Sequence, residues 1–138
     1  MNEKIKVFHF HNGSGGGVLS VIKNLLLFSK NDRFENNIIY TINRNKVRHY
    51  EPDKIENAFS EKVFYYSPHW NLLHTCKQLA KLVPDEKALL VAHDRLELAM
   101  VSNLGLQNKL IQVVHGDYKY YYDLAAENAG AIDAYITV

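Results

Sequence analysis

Four of the seven histidines in this 138-residue sequence lie at or just after the ends of predicted strands, together with acidic or amide side chains. The histidines are His9, His11, His93 and His115, and the side chains beside them are Asn12, Asp94 and Asp117. An imidazole titrates near neutral pH, so it can share a proton with a substrate hydroxyl. We predict that role for His115, which precedes the flexible Gly116. The alternative for His115 is a structural histidine at a strand end.

A glycine-rich run forms the second group with chemical potential. Residues 13–17 read Gly-Ser-Gly-Gly-Gly, and apolar residues of helical period follow from residue 18. A turn of this kind directs backbone N–H groups and a helix N-terminus at one point, which favours a phosphate. The glycines match neither the G-x-G-x-x-G fingerprint nor a P-loop, which ends in Lys-Ser or Lys-Thr. A flexible turn without a ligand therefore remains the alternative.

Several of these residues also have a purely structural alternative. His9 and His11 share one face of a strand and could form a zinc pair, but a third ligand would have to come from another strand, so we predict no metal. Asp94 and Asp117 each precede a predicted helix, and each could cap it. Cys76 lies on the apolar face of a predicted helix, where a buried side chain is expected rather than a nucleophile.

Four tyrosines follow His115. Their helical spacing predicts that Tyr118, Tyr121 and Tyr122 face the core and that Tyr120 points elsewhere. An aromatic ring beside a polar site suits a sugar, because it packs on the apolar face of the sugar ring.

Strands and helices alternate along the whole chain, and they position these groups. Strands are predicted at residues 4–10, 37–42, 62–66, 88–92, 110–114 and 134–138, and helices at 18–28, 72–83, 95–104 and 118–129. We expect residues 31–33 to break the first helix, Pro84 to end the second, and Gly105 and Gly130 to end the others. Residues 43–60 should be a loop with a short helix over 53–59.

This alternation predicts one Rossmann-like, doubly wound α/β domain with a mainly parallel sheet. Ligands bind such domains at the carboxyl edge of the sheet. The histidines and the glycine run all follow strands, so the topology should bring them together at that edge.

Composition excludes several classes of protein. The sequence is 47% hydrophobic and 22% charged with a net charge of +1, which predicts a globular protein and no general binding to nucleic acid. A single cysteine excludes an internal disulfide and indicates a reducing, cytoplasmic location. No apolar run reaches the ~18 residues that a membrane span requires. The abundance of Asn and Lys suggests a bacterial source.

The order of the motifs resembles the N-terminal domain of GT-B glycosyltransferases, most of all those of family 4. The resemblance rests on residues 8–18 (FHFHNGSGGGV), 90–94 (LVAHD), 112–117 (QVVHGD) and 132–138 (IDAYITV). It implies transfer of a sugar from a nucleotide-sugar donor to a hydroxyl of a glycan, a lipid or another acceptor. It implies no metal and no cofactor.

The resemblance also implies roles for particular residues. Gly15, Gly16 and Gly17 would lie against the donor diphosphate, and His115 would interact with the reacting hydroxyl. The acceptor side of the cleft would include His11, Asn12, His93, Asp94, Asp117 and Tyr120. The family's second domain, which holds the nucleotide and carries an E-x7-E motif, has no counterpart in these residues.

The sequence stops inside a predicted apolar strand. We therefore expect residues 1–138 to be the acceptor-side domain of a longer enzyme, inactive alone, with peripheral contact to the inner face of the membrane if the acceptor is lipid-linked. One alternative is a stand-alone module that binds a nucleotide or phosphosugar without catalysis. Another is a small flavodoxin-like or epimerase-type enzyme, which the missing cofactor fingerprint disfavours.

Overall fold

The computed structural model describes residues 3–28, 33–83 and 85–138 of the chain. Six parallel strands form one sheet in the order β3-β2-β1-β4-β5-β6, and four helices flank it. The elements are β1 (Ile5–His11), α1 (Gly17–Phe28), β2 (Phe34–Asn43), β3 (Ser60–Tyr66), α2 (Leu72–Ala80), β4 (Leu89–Ala92), α3 (Arg95–Leu104), β5 (Leu110–Val114), α4 (Lys119–Glu127) and β6 (Ala134–Thr137). The predicted Rossmann-like α/β fold is thus confirmed.

Strand β2 shows how the sheet separates two cores. Its residues alternate between the two faces, as the period of a strand requires. Ile38 and Ile42 pack on one face against Ile22 of α1. Ile39 packs on the other face, in the cluster that also contains apolar residues of α2, α3 and α4. Helix α1 therefore covers one face, and the other three helices cover the second.

The predicted short helix over residues 53–59 is wrong. The chain between β2 and β3 forms turns instead. Ile55 is buried in the cluster beneath α1, and its backbone N–H donates to Oε2 of Glu61 at 3.2 Å. The carboxylate of Glu61 thus pairs the buried N–H of Ile55 without a helix, and burial of the Ile55 side chain anchors the loop.

The helix ends agree with the sequence prediction in part. Helix α3 has its predicted bounds, and Gly105 ends it in the left-handed conformation with a φ of 60°. Helix α2 stops at Ala80, three residues before the predicted end, while Pro84 and residues 31 and 32 lie outside the described residues. Helix α4 ends before Gly130, because the backbone of Asn128 leaves the helical conformation with φ −119° and ψ 16°, and its side chain donates to the Leu124 carbonyl.

None of the described helices has the length and the apolar character that crossing a membrane requires.

Candidate functional site

The sheet face beneath α1 carries two layers of side chains that ascend toward the carboxyl edge. Val21 of α1 packs on the lower layer, which consists of valines. The upper layer consists of histidines, each of which comes two residues after one of the valines in the sequence. The two layers are Val7, Val91 and Val113, followed by His9, His93 and His115. Two-residue spacing keeps each histidine on the face of its valine, so three strands deliver three imidazoles to one place.

These three imidazoles form a continuous chain of hydrogen bonds. Nδ1 of His9 lies 3.3 Å from Nε2 of His93. Nδ1 of His93 lies 2.8 Å from Nε2 of His115. His9 and His93 are buried, whereas His115 is half-buried at the edge of the sheet. Among the described residues no hydrogen bond involves Nδ1 of His115.

Burial controls the charge of the three hydrogen-bonded histidines. Loss of hydration lowers the pKa of His9 to about 4 and the pKa of His93 to about 2. Partial burial also lowers the pKa of His115, and the negative charge of Asp94 opposes that shift. His9 and His93 are therefore neutral at physiological pH, and His115 is the member of the chain that can best carry a proton.

His11 lies beside this chain at the end of β1. It is only 2% exposed, and its Nδ1 accepts the backbone N–H of Gly13 at 3.1 Å. Its proton is therefore on Nε2, which is buried and has no hydrogen-bond partner among the residues that the structure describes. Burial lowers the pKa of His11 as well. His9 and His11 thus both lie within β1 and are buried, because the strand ends at His11, one residue beyond the predicted end.

Asn12, Asp94 and Tyr120 form a second network at the same edge. Asn12 donates from Nδ2 to Oδ2 of Asp94 at 2.5 Å, and the hydroxyl of Tyr120 donates to Oδ1. Asp94 also accepts the backbone N–H of Arg95 as the N-cap of α3. The capping alternative for Asp94 is confirmed, and this carboxylate holds two cleft side chains in place.

Asn12 and Asp94 line three adjoining cavities of about 280, 320 and 250 Å³. His11, His93 and Tyr120 line the first of them. The second also contains Tyr66 and Arg95. The predicted acceptor-side residues of β1, β4 and α4 therefore meet around one cleft, in which amide, carboxylate, guanidinium and aromatic groups are available to a polar ligand.

The glycine turn connects this cleft to the start of α1. Gly16 has a φ of +123°, a conformation that glycine adopts without strain. A Cβ on Gly15, Gly16 or Gly17 would meet no heavy atom of the described residues within 4 Å. Gly13 differs, because its φ is +80° and a Cβ there would lie 2.6 Å from Cδ1 of Ile42. Gly13 is therefore required by the fold, while the next three glycines leave the N-terminus of α1 open.

Glu97 is a site residue that the sequence analysis missed. It is 1% exposed, and its Oε2 accepts the backbone N–H groups of His93 and Asp94 at 2.9 and 3.0 Å. Burial, reinforced by the charge of Asp94, raises the pKa of Glu97 to about 8, and Oε1 is buried with no hydrogen-bond partner in the described part of the chain. The Asp94-x-x-Glu97 spacing of a capping box was the available signal.

Asp117 does not take its structural alternative as a helix cap, and two of the tyrosines do not face the core as predicted. Asp117 accepts the hydroxyl of Tyr122 at 2.8 Å and does not cap α4, whose N-cap is Tyr118. Tyr118 and Tyr122 are 66% and 52% exposed, so their assignment to the core was wrong. The inward face of α4 carries Tyr121, Leu124 and Asn128, while Tyr118 lies before the helix.

The zinc alternative has no geometric support in the part of the chain that the structure describes. No three His, Cys, Asp or Glu side chains converge there as metal ligands. Cys76 is buried with a free thiol, as predicted, and burial raises its pKa. A scan against models of known protein families found no match, and a search of curated proteins found no similar sequence.

Proposed function

We propose that this chain is the acceptor-side domain of a GT-B glycosyltransferase, which transfers a sugar from a nucleotide-sugar to a hydroxyl of a glycan, a lipid or another acceptor. The observation that carries the proposal is His115. Its Nε2 is engaged by His93, while its Nδ1 has no partner among the described residues at the carboxyl edge of the sheet. That nitrogen is available to a reacting hydroxyl.

In this proposal the turn before α1 stabilises the leaving group of the reaction. Sugar transfer releases a nucleoside diphosphate, so negative charge accumulates on the leaving group. Backbone N–H groups at a helix N-terminus stabilise such charge. The open space around Gly15, Gly16 and Gly17 lets a diphosphate approach the backbone closely. In this proposal a second domain binds the nucleotide and closes the cleft from the other side.

The acceptor would lie along the cavities around Asn12 and Asp94. Asp94 and Asn12 offer hydrogen-bond acceptors and donors to sugar hydroxyls, and Tyr66 and Tyr120 offer aromatic surface. The role of the domain is to hold one hydroxyl at His115 while the diphosphate rests at the glycine turn. Such positioning supplies a large part of the barrier reduction in two-substrate reactions.

A transfer assay tests the proposal. The protein is produced from the native reading frame that carries this chain and incubated with a panel of nucleotide-sugars and hydroxyl acceptors. Mass spectrometry then follows the glycosylated product and the released nucleoside diphosphate. We expect His115→Gln to lower turnover about 100-fold or more, which is the usual scale for one positioned proton-sharing group.

The matched control is His49→Gln, because the side chain of His49 is exposed, pairs with Glu51 and lines none of the three cleft cavities. It should retain wild-type turnover. Equal turnover of the His115→Gln and wild-type proteins would remove His115 from the mechanism. Binding of a phosphosugar without any transfer would favour the stand-alone binding module instead.

A further inference from the structure

We propose that His93, supported by His9, is a positioning residue that sets the tautomer of His115. In this arrangement Nδ1 of His93 accepts the Nε2–H of His115, and Nδ1 of His115 is presented to the ligand as an acceptor. The use of that nitrogen rests on the proposed function, whereas the tautomer itself can be measured independently.

The geometry leaves the three rings only two consistent arrangements. A neutral imidazole has one N–H, so a ring that donates from one nitrogen must accept with the other. His93 uses both of its nitrogens, at 3.3 Å to His9 and 2.8 Å to His115. Either all three rings carry the proton on Nε2, or all three carry it on Nδ1. The tautomer of His93 thus determines the tautomer of His115, the half-buried member of the three.

Two considerations select the arrangement with protons on Nε2. It is the more stable tautomer of an isolated histidine side chain, so all three rings favour it together. It is also the only arrangement in which Nδ1 of His115 can accept a further proton. The resulting imidazolium carries a proton on Nε2 as well, and that proton must be donated to an unprotonated Nδ1 of His93.

The same burial keeps the positive charge at the edge of the sheet. His9 and His93 are 4% and 3% exposed, and protonating either ring would place a charge in the interior. The proton therefore stays on His115, and His93 acts on it as a neutral acceptor. His93 resembles in this respect the group that orients the histidine of a catalytic triad, although it carries no charge.

The test uses histidine labelled with ¹⁵N in both ring nitrogens and long-range ¹H–¹⁵N correlation spectra, which distinguish the two tautomers. We expect His9, His93 and His115 of the wild-type protein to carry their protons on Nε2. A proton on Nδ1 of His115 would overturn the proposal, and this measurement needs no substitution.

Two substitutions at one position separate the two hydrogen bonds. His93→Asn places an amide oxygen near the position of Nδ1, which preserves the bond to His115. His93→Gln reaches the position of Nε2, which preserves only the bond to His9. We expect His115 to keep its tautomer in the Asn variant and to become a mixture of tautomers in the Gln variant.

In the transfer assay, His93→Gln should lower kcat at least 10-fold with little change in KM, and His93→Asn should recover most of that loss. Identical His115 spectra in the two variants would contradict the proposal. A protonated Nε2 at His115 in a protein that transfers no sugar would overturn the proposed function and leave the tautomer assignment standing.

Discussion

At the scale of single residues, the site combines buried histidines with a buried glutamate, and the two respond to pH in opposite directions. His9 and His93 have folded pKa values of about 4 and about 2, against 6.5 when unfolded. As the pH falls below 6.5, these two histidines therefore bind protons in the unfolded chain but not in the folded chain, and the free energy of unfolding decreases. The partly lowered pKa values of His11 and His115 act in the same direction.

Glu97 acts in the other direction. Its folded pKa is about 8, against 4.5 when unfolded, so the folded chain retains a proton that the unfolded chain releases. Its contribution to stability is present below pH 4.5 and is lost as the pH rises toward 8. Below pH 6.5 the two buried histidines outweigh this one glutamate, and above it the glutamate acts alone. Stability should therefore be greatest near pH 6.5.

We predict that Glu97→Gln removes the alkaline part of this profile. The amide replaces the protonated acid, and its oxygen can still accept the backbone N–H groups of His93 and Asp94. Between pH 7 and 8 the free energy of unfolding of the wild-type protein should fall with rising pH, with a slope of at most about 1.4 kcal/mol per pH unit, while that of the variant should not fall. Urea denaturation at a series of pH values measures both slopes, and parallel profiles would contradict the prediction.

Sequence reasoning located the polar residues of the site better than it described their surroundings. It placed His93, Asp94 and His115 at strand ends from the apolar runs before them. It did not identify Glu97 as a site residue, because a glutamate one turn into a helix is usually solvated. It also could not reveal the hydrogen bonds among the histidines, since these depend on the register between strands that lie far apart in sequence.

At the scale of elements, the turn before α1 contains glycines of two kinds: Gly13, which the fold requires, and Gly15, Gly16 and Gly17, which would give a ligand access to the backbone. Gly17 is the first residue of α1, its φ is not positive, and a Cβ there would meet no heavy atom within 4 Å in the part of the chain that the structure describes. We predict that Gly17→Ala raises the free energy of unfolding by about 0.4–1 kcal/mol, because alanine restricts the unfolded chain. The same methyl group would crowd a diphosphate at the backbone, so transfer should become slower. Thermal denaturation and the transfer assay measure the two effects.

Gly13→Ala is the matched control within the same turn. It should destabilise the fold by about 1–3 kcal/mol, because the backbone is left-handed and Cδ1 of Ile42 lies 2.6 Å from the new Cβ. A Gly17→Ala protein with wild-type transfer rates would show that no ligand approaches the turn.

The elements themselves were predictable where local signals agree. The bounds of α3 follow from Asp94 and Gly105, which signal its two ends, and β5 follows from its continuous apolar run. The loop between β2 and β3 was not predictable, since burial of Ile55 and the carboxylate of Glu61 determine its path. The prediction for two tyrosines failed because Tyr118 precedes α4, and because Tyr122 lies about 100° around the helix from Tyr121, which shares the inward face with Leu124.

At the scale of the whole molecule, parallel topology is what makes the site. The strands β1, β4 and β5 are neighbours in the sheet although β2, β3 and two helices separate β1 from β4 along the chain. Their carboxyl ends deliver His11, His93 and His115 to one edge, and the turn before α1 opens onto the same edge. The alternation of strands and helices predicted this convergence, because ligands of such folds bind where parallel strands end.

The most direct test of the central claim is a titration of the ¹⁵N-labelled chain with inorganic pyrophosphate, followed through the backbone amide signals. We predict saturable shifts at Gly15, Gly16 and Gly17 and at the neighbouring His11 and His115, with weaker binding by the Gly17→Ala protein. The absence of shifts at millimolar pyrophosphate, or shifts centred on the opposite edge of the sheet, would contradict a diphosphate site at the glycine turn.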